Sequence, residues 1–409
     1  MKAPSGLGAG VIALAFALWF GSGSIADAQK PIRIGASLSQ TGAYAALGQN
    51  QLRGYQLCVK HTNDKGGVLG RKLTLVVYDD HSEPATAVRL YQKLITQHKV
   101  DLVLGPYGSP ITEAVADVTE KHRLPMPAHA ATTSIFKKGR KFVFMVLSPA
   151  EVFLEGLVDL AARSGLKTIA LINEDTIATR AIVRGTIELA KKKGLQVVFE
   201  EAYPKGNTDF APILTKVRAA NPDVLAAGTY FDDAVAITRQ LRQLDVNPKM
   251  YAVTVGGDLP RFYEILGKEA EFVYGASLWD PELVTLRAGG LIPIARQYPG
   301  AREFVQAHRE EFPGADLSYQ TAAGYAICQI LAEGMKRAGS LDGGKIREAI
   351  LKLELNTVFG PFRVDQDGFQ IAHKVVMFQW QDGKKAIVWP YELAPSKPRF
   401  PTPPWSQRP

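Results

Sequence analysis

The sequence is short of the features that usually announce a chemistry. It has 409 residues and only two cysteines, Cys58 and Cys328. Its seven histidines are scattered. They form no H-x-x-x-H pair of the kind that holds a metal on one helix face. There is no G-x-S-x-G elbow and no Walker loop, so the usual nucleophile and phosphate cradles are missing. No basic stripe interleaved with aromatics runs along the chain, which argues against a nucleic-acid partner. Beyond residue 28 no apolar run is long enough to span a bilayer. These absences exclude the common signatures of an enzyme, a metal or cofactor site and an integral membrane protein.

What is present is an ordinary globular composition, 46% hydrophobic and 22% charged. The length implies two or three domains. So much apolar sequence buries cores that need no disulfide staple. Cys58 and Cys328 both fall in predicted helices and are read as buried small hydrophobes. A bridge between them stays open. An oxidising compartment allows one, but the sequence does not give the distance.

Residues 1–28 read as a secretory signal. Lys2 starts it, the apolar stretch Gly10 to Phe20 forms its core, and Ala26-Asp27-Ala28 is a small-x-small cleavage site before Gln29. The apolar stretch is 11 residues long, and a spanning helix needs about 20. The alternative, an uncleaved anchor, is therefore set aside. Cleavage removes one basic and one acidic residue, Lys2 and Asp27, and leaves the net charge at +8. A mild positive field of that kind favours anionic solutes.

Along the mature chain, short apolar strands alternate with helices of about 10 to 15 residues. Strands are predicted at Ile32 to Ser37, Leu73 to Tyr78, Val100 to Leu104 and Pro125 to Ala128. Helices are predicted between them, the first from Ala45 to Lys65 and ended by Gly66-Gly67. Ser82 is a candidate N-cap, with Pro84 in the first turn. The pattern then repeats from Thr168 to Val255. Alternation of this kind means βαβ units on parallel sheets, and two runs of it mean two doubly wound α/β lobes. A hairpin, Val375 to Trp380 and Lys385 to Trp389 around Asp382-Gly383, closes the pattern. The tail from residue 395 holds six prolines and is read as extended or loose.

Parallel sheets bind ligands in the loops beyond their strand ends. That selects residues 39–48, 105–110, 129–135 and 228–233. In the second loop, Ser109 and Pro110 open a helix whose first-turn amides suit an anion. The third, His129-Ala130-Ala131-Thr132-Thr133-Ser134, sets three hydroxyls beside small side chains. The fourth presents Tyr230. Taken singly, each is also an ordinary capped helix, turn or core tyrosine. Asp79-Asp80 reads as a strand end and turn rather than a catalytic pair.

Two segments carry a family likeness. One is Asn63-Asp64-Lys65-Gly66-Gly67-Val68-Leu69-Gly70-Arg71-Lys72-Leu73, continuing to Tyr78-Asp79-Asp80 and Pro84. The other is Phe359-Gly360-Pro361-Phe362 with Asp365 and Gly368. With the strand-end loops in order, nearly the whole mature chain resembles the periplasmic leucine/isoleucine/valine-type binding proteins of ABC importers. The resemblance implies a type I periplasmic-binding fold of two lobes with three hinge crossings, near Ala150, Leu278 and Lys374. Lobe 1 then takes residues 29–149 and 279–373, and lobe 2 takes residues 150–278 and 374–409. It implies a monomer in the periplasm that binds a small carboxylate between the lobes. The ligand passes to an ABC permease and its ATPase subunits in the inner membrane. No enzyme activity, cofactor, metal or nucleic acid enters this reading.

The resemblance also implies roles for single residues. Ser109 and Thr132 hold the carboxylate, the Ala130 carbonyl receives an ammonium, and Tyr230 packs on the ligand. Two positions depart from the family. Val255 stands at or near the place of the acid that pairs with the ammonium, and Ala178 replaces a tyrosine. A buried ammonium without a carboxylate partner is costly, and Asp232 and Asp258 do not align as substitutes. The pocket is therefore expected to accept a carboxylate with no α-amino group, an aromatic or aliphatic acid. Tyr44, Tyr107, Trp279 and Tyr319 are candidates to line it. A ligand-sensing regulator or receptor domain of the same fold is the rival reading.

Overall fold

The computed structural model describes Met1 and residues 30–285, 298–391 and 394–408. The expected signal segment lies outside the described residues. Among them, no helix is long and apolar enough to cross a membrane, and no cluster of side chains suits a metal ion.

The first run of elements is β1 (Ile32–Leu38), α1 (Ala45–Asp64), β2 (Leu73–Asp79), α2 (Pro84–Thr96), β3 (Leu102–Val103), α3 (Ser109–Lys121), β4 (Met126–Ala128), α4 (Thr133–Phe136) and β5 (Val143–Met145). Strand β1 is almost wholly buried, as a central parallel strand covered on both faces must be. It pairs in parallel with β2 and β3. Strands β4 and β5 form a second parallel pair. Backbone bonds from Gly105 to Pro127 (3.1 Å) and from Gly108 to His129 (2.9 Å) stitch the two ladders together.

The second run is α5 (Glu155–Arg163), β6 (Thr168–Glu174), α6 (Ile177–Lys193), β7 (Gln196–Tyr203), α7 (Ala211–Ala220), β8 (Val224–Gly228), α8 (Phe231–Gln243), β9 (Met250–Val253), α9 (Pro260–Leu266) and β10 (Tyr274–Ser277). The hairpin strands are Val376–Gln381 and Lys384–Trp389. All the strands of this run join the hairpin in one seven-stranded sheet. Five of its strands are parallel, and the hairpin adds an antiparallel edge beside β10. The expected α/β alternation is thus present, with the second sheet mixed rather than wholly parallel.

Helix α1 lies against the long helix Tyr319–Ala338. Glycines make the close approach possible. A Cβ on Gly54 would sit 2.2 Å from the Thr321 carbonyl oxygen, and one on Gly324 would sit 2.5 Å from that of Gln51. One turn further along each helix, Cys58 and Cys328 form a disulfide with a Cα separation of 6.1 Å. The reading of two free buried thiols is corrected: the glycine contact sets the helix spacing within bridging range.

The tail is also corrected. It is extended but pinned. Arg399 and Gln379 exchange hydrogen bonds. The Thr402 amide donates to the Lys249 carbonyl at 3.0 Å. Trp405 donates through its amide to Asn247 and through its indole to the Val246 carbonyl. Pro-rich sequence has no internal bonds, so its composition reports conformation and not docking.

Candidate functional site

The site is built at the strand ends, beginning with β1. Asp80 is fully buried there and accepts hydrogen bonds from the hydroxyls of Ser37 and Ser39. Asp79 accepts from the Gln40 amide and the Thr41 hydroxyl. The acidic pair is thus a staple for the next loop. Ser82 does not cap α2, whose N-cap is Glu83. Its hydroxyl accepts from the Tyr44 amide and donates to the Thr41 carbonyl instead. These bonds hold Tyr44 so that its ring meets Tyr230, 4.6 Å between centroids. Lys205 stands over the same ring at 5.1 Å and reaches Glu83 at 3.3 Å.

Beyond β3 the chain turns sharply. A Cβ at Gly105 would lie 2.7 Å from Ala128 Cα, and Gly108 takes φ +78°, a region that favours glycine. The turn pairs Tyr107 with His129 in a parallel bridge. It also buries Ser109 at the start of α3. Ser109 Oγ accepts two backbone bonds, from Ala131 at 3.0 Å and Thr132 at 3.2 Å. Both lone pairs are then engaged, so the hydroxyl proton is directed elsewhere. The first turn of α3 offers fewer amides than expected. Pro110 has none, and the amide of Thr112 bonds to the Gly108 carbonyl.

Beyond β4, His129 lies between two tyrosine rings, Tyr107 at 5.0 Å and Tyr319 at 5.8 Å. It is 2% exposed, and neither ring nitrogen has a hydrogen-bond partner. Burial pushes its pKa down to about 3, because desolvation disfavours the charged ring. The Thr132 hydroxyl is likewise buried without a partner.

Together with parts of the second sheet, these loops line a partly open cavity of about 30 Å³. Its polar wall holds Tyr107, Ser109, His129, Tyr230 and Tyr319. Its apolar wall holds Leu147 and Phe153, Ala178 and Ile182 from the start of α6, and Val255 beyond β9. The α6 start is fixed by a capping box between Thr176 and Thr179. No lining residue is an acid or a strong base. Acids stand further back. Burial, with Asp233 nearby, pushes Glu174 up to about 7. Asp233 is pushed up to about 6, again by burial, and accepts from the Tyr203 hydroxyl. Asp258 is fully buried and also pushed up to about 6 by desolvation. It acts on Tyr107 and Tyr319 electrostatically but does not line the cavity. Asp232 is exposed at the start of α8.

Of the residues singled out in the sequence, Ser109, Tyr107, Tyr230 and Tyr319 line the cavity, and so do the departing positions Ala178 and Val255. Ala130 and Thr132 are buried in the adjoining loop, outside the lining. Tyr44 covers Tyr230 from the rim. Trp279 is brought elsewhere: it follows β10 and packs edge-on against Phe304 of the helix Ala301–Glu311, at 5.9 Å. The sequence reading missed His129 as a lining residue, although it opens a selected loop. Phe153 and Ile182 gave no signal, since an apolar residue at helical spacing reads as core.

Comparison with known proteins agrees with this geometry. Residues 31–385 match the family described as periplasmic binding protein. The chain is 24% identical over 392 residues to Leu/Ile/Val-binding protein homolog 7 of Brucella melitensis, covering 92% of this chain and 96% of that one. A leucine-binding protein LivK from Thermotoga maritima superposes with TM-score 0.77 at 25% identity, over 87% of this chain and 97% of its own. A solute-binding protein of an ABC transporter from R. palustris, solved with benzoate, superposes with TM-score 0.75 at 18% identity, over 88% of this chain and 95% of its own. That last likeness is one of fold alone. The fold is the type I periplasmic-binding architecture, and the chain belongs to the periplasmic binding proteins, with relatives of the leucine/isoleucine/valine type.

Proposed function

We propose that this protein captures a small carboxylate lacking an α-amino group and delivers it to an ABC permease and its ATPase subunits. The protein works as a monomer in the periplasm and catalyses no reaction. Lobe 1 comprises residues 29–149 and 279–373, and lobe 2 comprises residues 150–278 and 374–409. Crossings near Ala150, Leu278 and Lys374 act as the hinge. Sheet membership supports this division, since the chain leaves the β4–β5 pair before β6 and returns to the seven-stranded sheet at Val376.

The observation that carries the reading is Ser109. Its oxygen is saturated by two amides, and its proton is left for an anion in a cavity with no lining acid. Hydroxyl donors to a charged acceptor make the stronger class of hydrogen bond. The apolar wall of Leu147, Phe153, Ile182 and Val255 suits an aliphatic or aromatic body. The benzoate held by the R. palustris neighbour is an acid of this class. A cavity of about 30 Å³ is too small for such a ligand, so the lobes part to admit it and close again.

A thermal-shift screen of branched-chain amino acids against aromatic and aliphatic acids tests the assignment. A ligand that binds only the folded state raises the melting temperature. The deaminated acids should give the larger shifts. Stabilisation by leucine, isoleucine or valine alone would overturn the ligand class.

A further inference from the structure

The cavity lacks a counter-charge. A zwitterionic amino acid arrives with its own, but a simple carboxylate brings a net negative charge into a dry space. Burying an uncompensated anion is heavily unfavourable. Neither nearby lysine is free to help. Lys205 stands over the Tyr44 ring and is held by Glu83 and the Ser82 carbonyl. Lys385 is paired with Asp280 at 2.6 Å. One lining side chain carries a basic nitrogen that a proton can charge, and it is His129. Its two nitrogens have no partner in a site that buries 98% of the residue, as its 2% exposure gives.

We propose that His129 supplies the missing charge, taking one proton from water for each carboxylate captured and returning it on release. The inference rests on the carboxylate reading of the same cavity.

The surroundings favour such a coupling. The groups facing His129 are Tyr107, from the turn beyond β3, and Tyr319, from the long helix. Burial raises the pKa of both phenols, so both stay neutral. The elements that close the cavity from the other sheet contribute Ala178, Thr179, Ile182, Tyr230 and Val255, none of them charged at neutral pH. Behind this layer stand three acids, Glu174 and Asp233 near Tyr230 and Asp258 near Tyr107 and Tyr319, with Lys205 acting on Glu174 and Lys385 on Asp258. Acids repel the incoming anion and favour an imidazolium. Without an anion, desolvation keeps the ring neutral. With one in contact, the ion pair reverses that preference. Affinity for the acid therefore falls as pH rises, tenfold per unit when one proton is taken up.

Calorimetric titration of the full mature protein with isocaproate and with benzoate, near neutral pH in phosphate and in Tris, counts the protons. The buffers differ in ionisation enthalpy, so the apparent heats separate by the number taken up. We expect one proton per ligand for the wild type. His129→Gln should bind more weakly, with no uptake and a pH-independent Kd, while Glu174→Gln should keep the wild-type uptake. Acid binding without proton uptake in the wild type would overturn the proposal. So would uptake that survives in His129→Gln or disappears in Glu174→Gln. Should His129→Gln bind no acid at all, the wild-type and Glu174→Gln counts still decide. Binding of leucine but of neither acid would remove the carboxylate reading itself, a different failure.

Discussion

Replacing Ser109 by alanine should weaken the ligand and the fold at once, and the two effects can be separated. In the folded protein the Ser109 oxygen takes the amides of Ala131 and Thr132, at 3.0 and 3.2 Å. Both are buried, in a loop with Ala131 at 6% and Thr132 at 2% exposure. Removing the acceptor leaves two amide groups to find another, and each orphaned buried group costs about 1–3 kcal/mol. Partial relaxation of the loop brings the expected loss of stability to about 2 kcal/mol. The ligand loses a different interaction, the hydroxyl proton donated to its carboxylate. A hydrogen bond to a charged group contributes about 1.5–3 kcal/mol, which is a loss of roughly 10- to 150-fold in affinity. Calorimetric titration with isocaproate reads the second effect, and differential scanning calorimetry of the unliganded protein reads the first. Lower stability with affinity unchanged within twofold would show that Ser109 only braces the loop. That outcome would refute the assignment of its proton to the ligand.

Further outcomes follow from other parts of the structure. Replacing both Cys58 and Cys328 by alanine should destabilise the protein while leaving ligand affinity intact. The bridge closes a separation of 270 residues, for which chain entropy alone gives about 6 kcal/mol as an upper value, and chemical denaturation measures the difference. Glu174→Gln should flatten the stability profile between about pH 4.5 and 7. The folded protein holds that proton more tightly than the unfolded chain, so wild-type stability is greatest below the ordinary glutamate value and declines as pH rises to about 7. The decline is at most about 3 kcal/mol, and denaturation midpoints across pH would show it. Tyr44→Ala removes a ring that meets both Tyr230 and Lys205. Small-angle scattering of that variant should show a larger radius of gyration than wild type, and an unchanged radius would mean that the ring does not hold the cleft shut.

Much of this architecture was legible because local chemistry and global fold agree. Helix α1 ends where Gly66 and Gly67 follow it, each at positive φ. The Asp382-Gly383 turn closes the hairpin as a tight-turn signal should. Short strands were harder. Val143–Met145 and Tyr274–Ser277 are three and four residues long, too brief for a periodicity to declare itself. Helix α6 begins at Ile177, behind an N-cap at Thr176. The cap there, Thr176 with Thr179 in place of a glutamate, departs from the usual box. At the site, the loops were found because strand ends of parallel sheets carry function. Which of their side chains face inward is a tertiary fact. Nothing local told Trp279, which packs on Phe304, from Tyr107, which lines the cavity. The bridge between Cys58 and Cys328 depends on two glycines 270 residues apart, Gly54 and Gly324. Their offset of one turn from each cysteine is visible only once the two helices are known to touch.

Leucine and isocaproate differ only in the α-amino group, and titrating the wild-type protein with each asks most directly what the cleft was built to hold. With Val255 in the wall and no acid or strong base in the lining, isocaproate should bind at least tenfold more tightly, about 1.4 kcal/mol. Tighter binding of leucine would contradict the account, because an ammonium would then be held where no acid lines the wall.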